Sequence, residues 1–251
     1  MYINAGCRAC ATLSSVPSVI QASFESINTG VAVPANDRNR YAFSYVNHDV
    51  REKNFIYKNF NKSSGYHSNF SKSQFVGSSF IGAKFKFCSF YEAEFNECLI
   101  RGTLFRKCNL QAAIFTSCIL AANVFDKVKL KDCKFINCKI IGSSKTLQLI
   151  PEKNLEYTEV VSSYPDEAEF DSLLIQEVEN IRSHDHIRRS SVLHRKKGKL
   201  DTLSLKILAE EFGQEFLIKN LSKLQDLVTR EFHTLSYIQS ILRKSSADDT
   251  V

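Results

Sequence analysis

Every fifth residue from Tyr45 to Ile140 is apolar, except for Gly65, and this spacing constrains the fold more than any other feature of the chain. The series has twenty positions, and twelve of them are phenylalanine. On an α-helix a step of five residues rotates the side chain by about 140°, and on a flat strand an odd step reverses its face. All these side chains can point inward only if the backbone turns a corner every five residues. The spacing therefore predicts a coiled backbone around an apolar interior.

A second register of small residues accompanies the large ones. From Ser63 to Cys138, fourteen of the sixteen residues that stand two positions before a large residue are Ala, Ser, Thr or Cys. A narrow tube needs this alternation, because two large side chains per side would overfill its interior. Representative five-residue units are Ala83-Lys84-Phe85-Lys86-Phe87, Ala93-Glu94-Phe95-Asn96-Glu97 and Cys108-Asn109-Leu110-Gln111-Ala112.

This pattern resembles the pentapeptide-repeat family, whose unit is a small residue, a variable residue, Leu or Phe, and two variable residues. The resemblance covers residues 43–145, and the Phe centres and Cys corners are nearest in style to Qnr-type and bacterial effector members. It implies a β-solenoid, a right-handed quadrilateral β-helix with four pentapeptides per turn. We expect about five coils, and so a rod of about 24 Å at a rise of ~4.8 Å per coil, followed by a small α-helical C-terminal domain.

Arranging the register on four sides predicts the core. One side stacks an unbroken column of phenylalanines, the expected structural core: Phe55, Phe75, Phe95, Phe115 and Phe135. Gly65 leaves a hole on another side, and we expect the neighbouring Tyr66 to fill it through a local bulge.

Composition divides the chain into five parts. We expect a flexible leader or N-terminal cap over 1–42, the β-helix over 43–150, a linker over 151–165, a domain of two to four helices over 166–245, and a tail over 246–251. Pro151 and Pro165 flank the acidic linker, and a helical period follows it. We expect no transmembrane segment, since no apolar run approaches ~18 residues, and no cleavable signal peptide.

Charge separates the candidate functions. The chain has 33 Lys and Arg against 27 Asp and Glu, but residues 46–150 hold 16 basic and 7 acidic residues, a net charge of +9. The family resemblance implies protection of DNA gyrase and topoisomerase IV by acidic imitation of DNA, and a basic rod disfavours that activity. We keep it as an alternative function.

Direct nucleic-acid binding is the second alternative. Its candidate basic patch comprises two runs of cations: Lys127, Lys129, Lys131, Lys134 and Lys139, and then Arg195, Lys196 and Lys197. Exposed aromatic side chains on which bases could stack are few, with Tyr57, Phe87 and Tyr91 as candidates, and this scarcity disfavours nucleic acid as the partner.

The cysteines indicate packing rather than chemistry. Six of the eight occupy the small register, where a thiol acts as a compact apolar group suited to a reducing compartment. Cys7 and Cys10 form a lone C-x-x-C with no second pair, so we expect no metal site there and leave acylation or redox use open. No catalytic motif or phosphate-binding glycine loop occurs, and we expect neither enzymatic activity nor a cofactor.

An apolar patch on the outside of the rod is the candidate partner-binding site. The residue before each centre is mostly polar, but in the middle of the rod it becomes Leu99, Leu104, Ile114, Ile119 and Val124. Such a patch marks a contact with the protein's own helices, a second copy or another protein. We therefore expect a non-catalytic interaction scaffold. Its setting is the bacterial cytoplasm or, alternatively, a host cell that it enters without a cleavable signal.

Overall fold

The structure, a computed structural model, describes residues 31–32 and 43–248. The rest of the expected leader, including Cys7 and Cys10, lies outside the described residues, as do the last three residues of the expected tail.

Sixteen short strands lie in the described chain between residues 31 and 161. In chain order they are β1 (Val31–Ala32), β2 (Phe43–Val46), β3 (Asn54–Ile56), β4 (Ser64–Tyr66), β5 (Gln74–Val76), β6 (Lys84–Lys86), β7 (Glu94–Asn96), β8 (Leu99–Arg101), β9 (Leu104–Arg106), β10 (Ile114–Thr116), β11 (Ile119–Ala121), β12 (Val124–Asp126), β13 (Lys134–Ile136), β14 (Lys139–Ile141), β15 (Leu155–Glu156) and β16 (Glu159–Val161). From β2 onward they pair in parallel at a constant offset of 20 residues, as in Phe95 with Phe115. The result is a parallel β-solenoid of about six turns, which confirms the fold class and adds about one turn to the expected number.

Each turn has four sides, named here by the inward residues at their centres. Face 1 has centres Tyr45, Gly65, Phe85, Phe105 and Phe125; face 2 has Val50, Phe70, Phe90, Leu110 and Leu130; face 3 has Phe55, Phe75, Phe95, Phe115, Phe135 and Leu155; face 4 has Phe60, Phe80, Ile100, Leu120, Ile140 and Val160. Faces 1, 3 and 4 form hydrogen-bonded sheets, and face 2 is held by a row of single bridges such as Asn69 with Ser89.

Stacked aromatic rings fill the tube. On face 3 the ring of Phe95 lies parallel to those of Phe75 and Phe115, with centroids 4.8 and 4.6 Å away. That distance matches the ~4.8 Å separation of neighbouring strands, because each ring repeats the position of the one a coil below. Of the five core phenylalanines expected from the sequence, four are buried, and Phe55 at the N-terminal end is partly exposed.

The expected bulge at Tyr66 is wrong. Strand β4 pairs in register with β2 and β6, and Tyr66 points outward and is 45% exposed. The space at Gly65 is taken instead by the Phe85 ring of the next coil. A Cβ atom built on Gly65 would lie only 2.5 Å from Cδ1 of that ring.

Two positions at each corner of the tube restrict which residue types can stand there. The second residue after nearly every centre has a left-handed backbone, with φ near +55°, as at Ala112 and Ala122. None of these corner residues is Val, Ile or Thr, the types that such a backbone strains most. At the other register, Ser73 Oγ accepts a hydrogen bond from Lys53 N and donates one to Val50 O, so the small residues also link successive coils.

The solenoid continues past the expected boundary at residue 150. Strands β15 and β16, which lie within the expected linker 151–165, pair with β13 and β14 at the same offset of 20 residues. Between them and β14, a short helix α1 (Ser144–Leu147) replaces the strand of face 1. The division into domains remains a prediction, but this segment belongs to the hydrogen-bonded solenoid.

Six further helices follow among the described residues: α2 (Ser172–Ile181), α3 (Asp185–Ser190), α4 (Thr202–Phe212), α5 (Gln214–Asn220), α6 (Leu224–Leu227) and α7 (Leu235–Asp248). Single 3-10 turns occupy Glu152–Asn154, Glu167–Glu169, Lys196–Gly198 and Leu221–Lys223. The expected number of two to four helices is too low. Gly213, at φ +79°, separates α4 from α5, and extended Val228 ends α6 before α7 begins.

Candidate functional site

Face 4 is covered by the chain's own helices. Its outward apolar side chains, Leu99, Ile119, Ala121 and Ile141, share one buried cluster with helical residues such as Leu205 and Leu208. Ile81 and Val161, which lie on the same face before and after these residues, also pack against this cluster. The core of the helical region is therefore completed by the solenoid surface.

The five residues of the predicted partner-binding patch are divided between covered and free faces. Leu99 and Ile119 are 2% and 9% exposed beneath the helices, so another chain cannot reach them in this structure. Ile114 lies on face 3 and is half-buried. Leu104 and Val124 pair across neighbouring strands of face 1, where Leu104 is half-buried and Val124 is 51% exposed.

A buried ion pair fastens the helical region to face 4. Arg101 projects from β8. One of its guanidinium nitrogens donates a hydrogen bond to the Asp201 carboxylate, and another donates one to the Ser191 carbonyl. The Arg101 and Asp201 side chains are only 10% and 4% exposed. Asp201 also caps α4, since its Oδ1 accepts a hydrogen bond from Ser204 N at 3.1 Å. Sequence reasoning missed Arg101, which has the same register position as the exposed Arg106.

Two further ion pairs join the last coils to α4. Lys139 Nζ lies 2.5 Å from Glu159 and 2.8 Å from Glu210, and Lys206 Nζ lies 2.8 Å from Glu159. Burial lowers the pKa of Lys139, but its hydrogen bonds to both carboxylates outweigh burial, and the pKa is raised. Hydrogen bonds from Lys139 and Lys206 lower the pKa of Glu159. Both shifts favour the charged forms of Lys139 and Glu159 at neutral pH.

The structure does not bring the predicted basic patch together on one surface. Lys129 and Lys131 lie on face 2, Lys134 on face 3 and Lys139 on face 4, and Lys127 is at the corner between faces 1 and 2. Lys134 pairs with Glu156 at 3.4 Å, and Lys139 is neutralised as described above.

The second basic run lies outside the solenoid. The Arg195 guanidinium stacks over the Tyr164 ring, 3.8 Å from its centroid. Lys196 and Lys197 are exposed in a tight turn that follows it. These cations therefore belong to the helical region and not to the rod.

The six corner cysteines are buried free thiols, as their register predicts. Four of them also make the inter-coil hydrogen bonds that serine makes elsewhere, as in Cys138 Sγ to Phe115 O at 3.3 Å: Cys98, Cys108, Cys118 and Cys138. Burial raises the pKa of Cys133 to about 12. Thiols of this kind are poor nucleophiles, because the thiolate is the reactive form.

The corner between faces 1 and 2 holds an aromatic ladder on the outside of the rod. The rings of His67 and Phe87 are parallel, with centroids 4.8 Å apart, and Tyr66 meets both edge-on. Lys107 Nζ lies over the Phe87 ring, 5.0 Å from its centroid. Four residues from three successive coils thus form one exposed cluster.

No group of three or more His, Cys, Asp or Glu side chains in the described part of the chain could hold a metal ion. No helix formed by these residues is long and apolar enough to cross a membrane.

Comparison with known families now agrees with the register. The family model for pentapeptide repeats matches eight copies over residues 68–106. The matched segment of the β-helix is built from pentapeptide repeats. No curated protein matches the chain.

The solved structures that the chain resembles include pentapeptide-repeat proteins. One from the thylakoid lumen of Arabidopsis thaliana is 17% identical, with 42% of this chain and 73% of that chain covered, at a TM-score of 0.39. HetL, involved in heterocyst differentiation regulation in the cyanobacterium Nostoc, is 14% identical over 39% of this chain and 59% of that chain, at 0.22. QnrB1, a plasmid-mediated fluoroquinolone resistance protein, is 12% identical over 48% of this chain and 92% of that chain, at 0.20. These similarities concern the fold alone.

Proposed function

We propose that this chain is a non-catalytic protein-interaction module, in which the pentapeptide-repeat β-helix presents face 1 to a partner and the helical region occupies face 4. The observation that carries the proposal is the stacked pair Leu104 and Val124, whose side chains face outward on a solenoid surface that the helices leave open. Apolar side chains grouped on an exposed face favour a contact with another protein.

The open cleft beside the helical region supports a non-catalytic role. This cleft of about 550 Å³ is lined by Tyr164, Arg195, Asp166 and Glu169, among others. Two of its three lining carboxylates, those of Asp166 and Glu169, are occupied in a capping box. Asp166 Oδ1 accepts from Ala168 N, and Glu169 Oε1 accepts from Asp166 N. Neither of these two hydrogen bonds places a nucleophile beside a base, because both are made to backbone N–H groups.

Affinity capture with a matched control tests the interaction role. Leu104→Glu combined with Val124→Glu adds two charges to face 1, and Asn96→Glu combined with Thr116→Glu adds two charges to neighbouring strands of face 3. We expect a defined set of captured proteins to be lost with the face 1 variant and kept with the face 3 variant, while circular dichroism shows both folded. An unchanged set with the face 1 variant would remove the proposal.

Gyrase protection is the competing function, and the charge of the rod argues against it. Residues 46–150 carry a net charge of +9, which attracts phosphate instead of imitating it. A supercoiling assay in the presence of a quinolone separates the two. Rescue of gyrase by the purified protein would favour protection, and no rescue at any concentration would exclude it.

Two cellular settings fit the module, a cytoplasmic regulator and an effector delivered into a host cell. A reporter fused to residues 1–45 tests the second setting under conditions that induce secretion. Export of the reporter would support delivery, and its retention would leave the cytoplasmic setting.

A further inference from the structure

Face 1 and its corner with face 2 carry far more positive than negative charge. The basic side chains are Lys84, Lys86, Arg106, Lys107 and Lys127. Asp126 is the one acidic residue among the outward positions of this face within the described residues, and it is paired with Arg106 at 2.7 Å. The four lysines form no ion pair with any described residue.

The same surface also offers apolar contact area. Leu104 and Val124 follow Lys84 in one outward column, and Tyr66 precedes Lys86 and Arg106 in the other. An occupant must therefore bring negative charge and apolar groups together. Two classes of molecule do so: single-stranded nucleic acid, and an acidic polypeptide with apolar side chains.

The aromatic ladder decides between these classes. A nucleobase binds such a surface by stacking on a free ring face. Both faces of the Phe87 ring are already occupied, one by His67 with an interplanar angle of 1° and the other by Lys107. Tyr66 presents its ring edge-on to Phe87 at 79°. The surface thus supplies charge and apolar area, while its Phe87 ring has neither face free for a base, which favours the polypeptide.

We propose that face 1 binds an acidic polypeptide segment of another protein, whose carboxylates meet the four lysines and whose apolar side chains contact Leu104 and Val124. This inference rests on the proposed interaction function and specifies its partner. From β4 to β12 the face spans three coil steps, ~14 Å, which an extended segment of about five residues covers.

Fluorescence anisotropy with defined probes tests the inference on the full-length protein. The probes are a labelled peptide of alternating glutamate and leucine, the same peptide with glutamine in place of glutamate, and an oligodeoxythymidine of equal charge. We expect the acidic peptide to bind more tightly than the other two and to weaken as salt is raised, because exposed charges are screened.

Charge reversal on two faces supplies the matched control. Lys84→Glu combined with Lys107→Glu is expected to weaken binding of the acidic peptide by about tenfold. Lys129→Glu combined with Lys131→Glu makes the same charge change on face 2 and is expected to leave the affinity nearly unchanged. Leu104→Ser keeps every charge. It is expected to lower the affinity for the acidic peptide without raising the affinity for the oligonucleotide.

Three results would overturn the inference. The first is an equal loss of affinity for the acidic peptide in the two charge-reversal variants. The second is tighter binding of oligodeoxythymidine than of the acidic peptide. The third is a wild-type dimer that the face 1 charge reversal dissociates, because this result assigns the face to a second copy. Loss of captured partners with Leu104→Glu and Val124→Glu, in the absence of any peptide binding, would reject the acidic segment while leaving the interaction function intact.

Discussion

Arg101→Met is expected to destabilise the protein strongly, because it leaves the Asp201 carboxylate buried without its counterion. Asp201 is 4% exposed and would keep only its capping hydrogen bond from Ser204 N. Removing one partner of a buried ion pair costs about 3–5 kcal/mol of unfolding free energy. The methionine side chain fills much of the volume of the arginine stem, so we expect a loss of about 3 kcal/mol.

Two companion variants give this prediction its control. Arg106 has the same register position one pentapeptide later, and its pair with Asp126 is exposed, at 47% and 36%. Arg106→Met is therefore expected to cost less than about 1 kcal/mol. Adding Asp201→Asn to Arg101→Met removes the unpaired charge and keeps a capping side chain, and it should recover about 2 kcal/mol of the loss.

Urea unfolding followed by far-ultraviolet circular dichroism measures all three variants against the wild type. Equal losses of unfolding free energy for Arg101→Met and Arg106→Met would refute the reasoning, because they would show that burial of the ion pair does not determine how much stability its removal costs. A double variant no more stable than Arg101→Met would refute it equally, since the penalty is assigned to the uncompensated Asp201 charge.

Three further predictions follow from the fold. Phe95→Ala removes a ring stacked on both sides and is expected to lower the free energy of unfolding in urea by about 4 kcal/mol. Phe55→Ala, at the open end of the tube, is expected to lower it by about half as much. Equal losses would contradict the stacking of the face 3 phenylalanines along the tube. Ala122 is an exposed corner residue with φ +53°. Ala122→Val should lower the free energy of unfolding by about 1 kcal/mol, and Ala122→Gly should raise it by about the same amount. Unfolding temperatures that shift in the same direction for both variants would contradict this. Burial lowers the pKa of His194 and His233 below 6.5, so their neutral forms are favoured in the folded state, and stability should be full above that pH and fall as pH drops below it. His194→Gln and His233→Gln should flatten this decline in thermal unfolding between about pH 7.5 and 5.5, and an unchanged slope would contradict the assignment.

The five-residue spacing was sufficient to predict the solenoid core, because a centre such as Phe95 has only one way to point inward in every coil. The end of the solenoid was harder to predict, since Lys145 interrupts the spacing. Ile150, Leu155 and Val160 nevertheless resume it, and Leu155 and Val160 pair with Phe135 and Ile140. Extending the register past one exception would have found the last turn.

Coverage of face 4 left a signal in the sequence that only one column of the register reveals. From Phe80 onward, the residue after each centre on that face reads Ile81, Arg101, Ala121, Ile141 and Val161 at a spacing of twenty. Apart from Arg101 this outward column is apolar, as a covered surface requires. The burial of Arg101 itself could not be predicted, because its partner Asp201 is a hundred residues away and looks like an ordinary helix cap.

The docking of α4 along face 4 fixes the number of coils in the C-terminal part of the rod and leaves the number of coils in the N-terminal part free to vary. Asp201 reaches the coil of Arg101, while Lys206 and Glu210 reach those of Glu159 and Lys139. A duplicated turn of twenty residues inserted between Arg101 and Lys139 would move these anchors a further ~4.8 Å apart, too far for one rigid helix to contact both. A turn gained or lost before Phe80 would leave every anchor in place, so variation in repeat number is tolerated only toward the N-terminal end.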